Sequence, residues 1–154
     1  MARDEKTVLI EGAQLVFRNF TGIEGQFNRE GDRNFCVLLE PDVAEQMAKD
    51  GWNVKSLRAR DEGDADQPYI QVSVGYKGRP PHVVMITSRG RVDLGEREVG
   101  VLDDVDIANV DLIFRAYEWT VNGKSGLKAY LKSLFVTIEE DELDLKYAAV
   151  EDAN

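Results

Sequence analysis

One cysteine, Cys36, and one histidine, His82, stand among the 154 residues. A lone cysteine excludes an internal disulfide, and its setting in NFCVLLE reads as buried strand. One His with one Cys falls short of a zinc site of the usual composition. No apolar run approaches the roughly 20 residues that cross a bilayer as a helix, and the opening MARDEKTVLIEG lacks the apolar core of a signal peptide. The expectation is a cytoplasmic protein with no membrane association. Also missing are a nucleophile elbow, a phosphate loop and a paired-histidine motif. A metal-dependent nuclease could draw carboxylates from Asp61, Asp64, Asp103, Asp104 and Asp106, but two-metal chemistry needs acids held rigidly. These five lie in loops without a lysine or histidine placed as partner. The acids of DEGDADQP are not in calcium-hand spacing, so that run reads as a solvated loop. Neither an enzyme nor a cofactor is expected.

What is present is globular: 43% hydrophobic and 31% charged residues, in a chain long enough to bury one core. The net charge of −10 is unevenly spread. Residues 139–154 carry seven acids against one lysine, a balance of −6, which leaves −4 and 18 cations for residues 1–138. The expected organisation is a domain over 1–138 and an acidic C-terminal segment over 139–154, partly docked and then flexible. Net charge does not exclude a local basic face on the body.

The clearest local signal is NVDLIFRAYEWTV, then Asn122-Gly123, then KSGLKAYLKSLFVTI. Two β-rich runs flanking Asn-Gly predict a hairpin with a two-residue type I′ turn. Val121 then faces Lys124, Tyr117 faces Lys128, and Arg115 faces Tyr130. Alternation sorts Val110, Leu112, Phe114 and Ala116 with Phe135, Ser133, Leu131 and Ala129 onto a core face. The other face carries Arg115, Tyr117 and Trp119 beside Lys128, Tyr130 and Lys132. Three rings interleaved with three cations suit unpaired nucleic acid: rings stack on bases at about 1–3 kcal/mol each, and cations hold phosphates.

Residues 7–20 read as a long first strand in which Gly12 predicts a bulge or corner, and 34–40 as a second. Between them the three residue types of Arg18-Asn19-Phe20 recur in Phe27-Asn28-Arg29 and Arg33-Asn34-Phe35. The same phosphate, hydrogen-bond and stacking chemistry makes Phe20, Phe27, Arg29 and Arg33 further candidates. Pro41 to Gly51 predicts a helix with Val43 and Met47 on one stripe. Trp52 should pack back on Met47 in a Schellman ending. Residues 54–60, 69–77 and 82–88 predict three more strands, and Leu143, Leu145 and Tyr147 alternate as an edge strand would. Arg89, Arg91 and Arg97 fall in a loop, and 103–106 leads directly into the hairpin. Many short strands with one helix predict a mainly β fold, an oligonucleotide-binding-fold-like antiparallel barrel with extra strands.

The stretches IEGAQLVFRNFTGIEGQFNREGDRNFCVLL, GRPPHVVMITSRG and NVDLIFRAYEWTVNGKSGLKAYLKSLFVTIEEDELDLKY together resemble phage and prophage single-stranded DNA-binding proteins of the oligonucleotide-binding-fold type. The resemblance implies an aromatic and basic groove, a host-cytoplasm location, and a non-catalytic role protecting single-stranded DNA in phage replication or recombination. It also implies an acidic end that recruits replication or recombination proteins; a homodimer is compatible. Two features depart from the family pattern. The helix follows the second strand rather than lying between strands 3 and 4, and the chain ends in VEDAN without a terminal phenylalanine. The alternative is a phage structural or adaptor protein that uses the hairpin face as a protein interface, since Tyr, Trp and Arg also dominate such interfaces.

Overall fold

The computed structural model describes residues 6–26, 28–58, 63, 65–141, 143 and 146. Its elements are β1 (Thr7–Ile10), β2 (Leu15–Asn19), β3 (Arg33–Leu38), α1 (Pro41–Lys49), β4 (Val54–Leu57), β5 (Gln67–Val74), β6 (His82–Thr87), β7 (Gly90–Asp93), a 3-10 helix (Val99–Asp103), β8 (Ile107–Val121) and β9 (Lys124–Ile138). These elements make the fold mainly β with one named α-helix, as the sequence implies. Among the described residues no helix is long and apolar enough to cross a membrane.

The β8–β9 hairpin dominates. Asn122 (φ 51) and Gly123 (φ 79) both take the left-handed conformation that a type I′ turn requires. The expected pairs Val121–Lys124, Tyr117–Lys128 and Arg115–Tyr130 form. Below them the ladder slips, because Phe114 faces Leu131 while Ile113 faces Ser133. Lys132 is therefore the extra residue of a β-bulge. A slip of one residue exchanges the two faces of a strand. Leu134 and Val136 fill the core in place of the expected Ser133 and Phe135. Phe135 instead lies against the His82 ring, at 5.5 Å, and the Arg91 guanidinium, at 5.1 Å.

The sheet runs β1-β8-β9-β5-β3-β2, with β4 on β5 and the β6–β7 pair on β9. The expected antiparallel barrel differs in strand direction, forming a mixed sheet: β5 and β6 both pair parallel to β9. Long intervening connections permit this, since parallel partners cannot be joined by a tight turn. No ladder joins the two ends of the path, β1 and β2, so the barrel is open. They are nonetheless consecutive pieces of one segment bent after Gly12 (φ +62). Ala13 N–H donates to Val110 O at 2.8 Å, and Leu38 N–H donates to Gln14 O at 3.0 Å. The chain thus passes from β8 to β3 within two residues, the corner that Gly12 predicted.

Helix α1 closes one end of the core with Ala44 and Met47, whereas Val43, expected on that stripe, is exposed. The helix ends as predicted. Gly51 N–H donates to Ala48 O and Trp52 N–H to Met47 O, both at 3.1 Å, in Schellman geometry. Trp52 is 4% exposed and meets Phe114 edge to face at 5.2 Å. The 3-10 helix and β7, which contains Arg91, were not legible in the sequence. The Asp103 carboxylate of the 3-10 helix accepts from Phe20 N–H at 2.7 Å and Thr21 N–H at 3.0 Å. Arg18 donates to the carbonyls of Leu102 and Val105, both at 2.7 Å. These bonds clamp the base of the loop between β2 and β3. At the other end of the chain the Glu140 carboxylate accepts from the Ser88 backbone and hydroxyl, which lowers its pKa. Leu143 and Lys146 have helical backbone, so the predicted edge strand is absent at those two positions; its other members lie outside the described residues.

Candidate nucleic-acid interface

Period-two alternation turns Arg115, Tyr117 and Trp119 of β8, and Lys128 and Tyr130 of β9, away from the core. Because β5 pairs parallel to β9 through Val72–Ala129 and Ser73–Tyr130, the outward residues Gln71 and Ser73 continue the same surface. The loop before β3 rises beside it. Together these elements enclose a cleft of about 970 Å³, walled by Trp119, Lys128 and Tyr130 on the hairpin, by 30–34 on the loop side, and by Ser73 to Lys77 at the end of β5 and just past it.

Trp119 lies opposite Gly126, and its indole packs directly onto that glycine. A Cβ at Gly126 would stand 2.8 Å from Cζ2 of the ring, so glycine is what lets the ring lie down on the sheet. Tyr130 meets Tyr117 edge to face at 5.8 Å, and the Lys128 ammonium stands 5.2 Å from the Tyr130 centroid. Tyr117 is 61% exposed outside the cleft.

Across the cleft, the Arg33 guanidinium lies 5.6 Å from the Tyr76 centroid, and its Nη1 is 3.5 Å from Glu96 Oε1. Arg33 Nε and the Tyr76 hydroxyl are buried without a hydrogen-bond partner among the described residues. Burial raises the Tyr76 pKa; Arg33 opposes the shift, while Glu96 and Glu98 add to it. Like any tyrosine at neutral pH, Tyr76 carries its proton and can donate.

Of the residues singled out from the sequence, Trp119, Lys128, Tyr130 and Arg33 converge on the cleft. Arg115 faces Tyr130 but donates to the Arg79 carbonyl at 3.4 Å, outside the cleft lining. Lys132 is exposed at the bulge and Arg29 is exposed on the loop, and neither lines the cleft. Phe27 lies outside the described residues. Phe20 requires correction as a stacking residue: it is fully buried and stacks on Phe35 at 5.0 Å, because the Asp103 clamp turns the chain inward there.

The asparagines of the three repeated triplets are also not free for a ligand. Asn19 accepts from Gly22 and Ile23 N–H, while the Asn28 amide donates to the Ile23, Arg29 and Asp32 carbonyls and accepts from Asn34. They knit the loop into a shaped arm.

Sequence reasoning missed Tyr76, Lys77, Gln71, Ser73 and Glu96. Alternation with the buried Ile70, Val72 and Val74 turns Gln71 and Ser73 outward, but only the non-local β5–β9 pairing places them beside Tyr130. It also missed Phe17, which is exposed at φ 52 in the irregular stretch of β2 and meets Tyr69 edge to face at 6.2 Å. A bulky residue in the left-handed region marks local strain. Tyr69 shares the outward phase of Gln71 and Ser73, so this pair extends the aromatic surface along β5.

A partly open β-barrel with an aromatic and basic cleft beside its first long loop is the architecture of an oligonucleotide-binding module. The chain belongs to the family described as "Putative phage ssDNA-binding domain", which matches residues 2–154. It is accordingly a phage-type single-stranded DNA-binding protein, and the adaptor alternative is not favoured. Its fold is similar to that of the single-stranded DNA-binding protein from bacteriophage Enc34 in complex with ssDNA, with TM-score 0.55, 10% identity, and 88% of each chain covered. The same phage protein in a second structure gives TM-score 0.54 at 10% identity, over 88% of this chain and 82% of that one. No curated protein sequence matches the chain.

Gly126→Ala is expected to lift the Trp119 indole off the sheet. Trp119 emission should shift, and affinity for an unstructured oligonucleotide should fall roughly tenfold, within the range of one lost stack. An unchanged emission spectrum with unchanged affinity would mean the ring's seat on Gly126 is irrelevant.

Proposed function

We propose that single-stranded DNA enters the cleft with bases stacked on Trp119 and Tyr130 and phosphates held by Lys128 and Arg33. Lys77 and the outward face of β5 extend the track. The observation that carries this reading is convergence: two rings and a cation from the hairpin meet an arginine from the start of β3, about 90 residues away in sequence, in a single cleft. Stacking is indifferent to base identity, which suits a protein that coats DNA without reading it. The role is non-catalytic protection of single-stranded DNA during phage replication or recombination, in the host cytoplasm. The acidic segment 139–154 lies beyond the binding body of 1–138; it competes with DNA for basic sites and offers a docking surface to replication or recombination proteins.

The test is fluorescence anisotropy of labelled oligo-dT at two salt concentrations, with duplex DNA of equal length as control. Binding should be confined to the single strand. Each phosphate contact adds about −0.7 to the log–log salt slope, so two or three cations predict a slope near −1.4 to −2.1. Removing the residues beyond Tyr147 should tighten binding. Absence of binding at low salt, in both full-length and truncated chains, would refute the reading.

A further inference from the structure

We propose that Arg33 and Tyr76 form a seat for one phosphodiester group in the wall of the cleft, and that Glu96 occupies the arginine in its place when DNA is absent. The inference rests on the reading that DNA lies in this cleft. It goes further by assigning a phosphate site with two previously unassigned members, Tyr76 and Glu96.

Two buried donors without acceptors are the first observation. Arg33 Nε and the Tyr76 hydroxyl each lack a partner among the described residues, on adjacent side chains that both line the cleft. Folding does not leave such groups unpaired without cost, because their water is lost and nothing replaces it. Both are donors: Nε–H can only donate, and the phenol keeps its proton. A site with one fixed positive charge and two adjacent donors calls for an anion bearing several acceptor oxygens. Phosphodiester oxygens fit, and the guanidinium fork is matched to them. A stacked base would leave both donors unpaired.

The second observation is how Glu96 sits. It touches only Nη1, at 3.5 Å, and its side chain is 59% exposed. A long, solvated contact of this kind is weak and readily exchanged. It neutralises the arginine without satisfying Nε or the tyrosine. Glu96 thus supplies the charge of a phosphate but not its full set of acceptors, and an arriving phosphate both displaces it and completes the seat.

This arrangement has a consequence that simple electrostatic attraction lacks. Glu96 competes with phosphate for Arg33, so Glu96→Gln should raise oligo-dT affinity about three- to tenfold while the salt slope stays close to wild type, because the same phosphates are neutralised in both. In an Arg33→Gln background, itself about tenfold weaker, the same change should give no gain. Tyr76→Phe should lower affinity several-fold while leaving the melting temperature unchanged or higher, since the hydroxyl bonds to none of the described residues. Wild-type binding with Tyr76→Phe and Glu96→Gln both without effect would overturn the seat alone. A Glu96→Gln gain that persists in Arg33→Gln would also overturn it, by showing only general repulsion. A wild type that does not bind oligo-dT would overturn the underlying reading, and the seat with it.

Discussion

Replacing Trp119 and Tyr130 together with alanine is expected to weaken oligo-dT binding at least about 30-fold while leaving the salt slope nearly unchanged. The magnitude follows from two lost stacks at about 1–3 kcal/mol each. The constancy of the slope follows because neither ring carries a charge. Lys128→Ala should do the reverse, costing less affinity at high salt and flattening the slope by about 0.7. Both aromatic side chains are only partly buried, on the outward face of the hairpin, so their loss should move the melting temperature by no more than a few degrees. Anisotropy titrations of the double variant and of Lys128→Ala at three salt concentrations separate the two contributions. A loss below about threefold for the double variant would mean the rings serve the sheet, as aromatic cover for Gly126 and Gly75, and not the ligand.

Half of this interface was legible because it is governed by local rules. An Asn-Gly turn fixes register, and register with alternation fixes which of Tyr117, Trp119, Lys128 and Tyr130 point the same way. That logic held from the turn down to Phe114. It failed at Lys132, where a bulge inserted one residue and exchanged the faces of β9 beyond it, while Val110 and Leu112 of β8 stayed on the expected core face. Nothing in LKSLFVTI marks the bulge, since a strand with Leu131, Leu134 and Val136 inward looks as alternating as one with Leu131, Ser133 and Phe135 inward. The slip is decided by what the core accepts: Leu134 and Val136 are fully buried, while Phe135 is better covered outside by His82 and Arg91.

The loop was misread for a related reason. Asparagine beside arginine and phenylalanine has the right chemistry for a ligand, but short amides also bond their own neighbouring backbone, and Asn19 and Asn28 do so. Phe20 was equally ambiguous until Asp103, more than eighty residues later, was seen to hold its amide. The Arg33–Tyr76–Glu96 group lay beyond reach. Its members come from three separate stretches, and only the β3–β5 pairing, with Arg33 facing Val74, brings the first two together.

The largest stability effect is expected at Phe114. Phe114→Ala should destabilise the fold by about 3–5 kcal/mol, the range for deleting a buried aromatic ring. For a chain of this size that corresponds to a drop of roughly 6–20 °C in melting temperature. The ring is fully buried, beside the bulge, and edge-on to Trp52. It therefore links the hairpin to the end of α1 next to the bulge in the ladder. That link reaches the binding face. The residues flanking Trp52 bond to β9, with Leu127 N–H donating to Gly51 O at 2.9 Å and Asn53 N–H donating to Leu127 O at 3.3 Å. Leu127 sits between Gly126, on which Trp119 rests, and Lys128. A cavity at position 114 should loosen this anchorage, so DNA affinity should fall as well, but only as temperature approaches the new melting point. Well below it the stacking surface remains and binding should stay within a few-fold of wild type. Thermal melts followed by circular dichroism, with anisotropy at two temperatures, distinguish this from direct loss of a ligand contact. Tyr117→Ala, on the same strand but exposed, is the control and should melt within about 2 °C of wild type. A Phe114→Ala protein melting equally close to wild type would show that the Trp52–Phe114 contact does not hold the hairpin to the body.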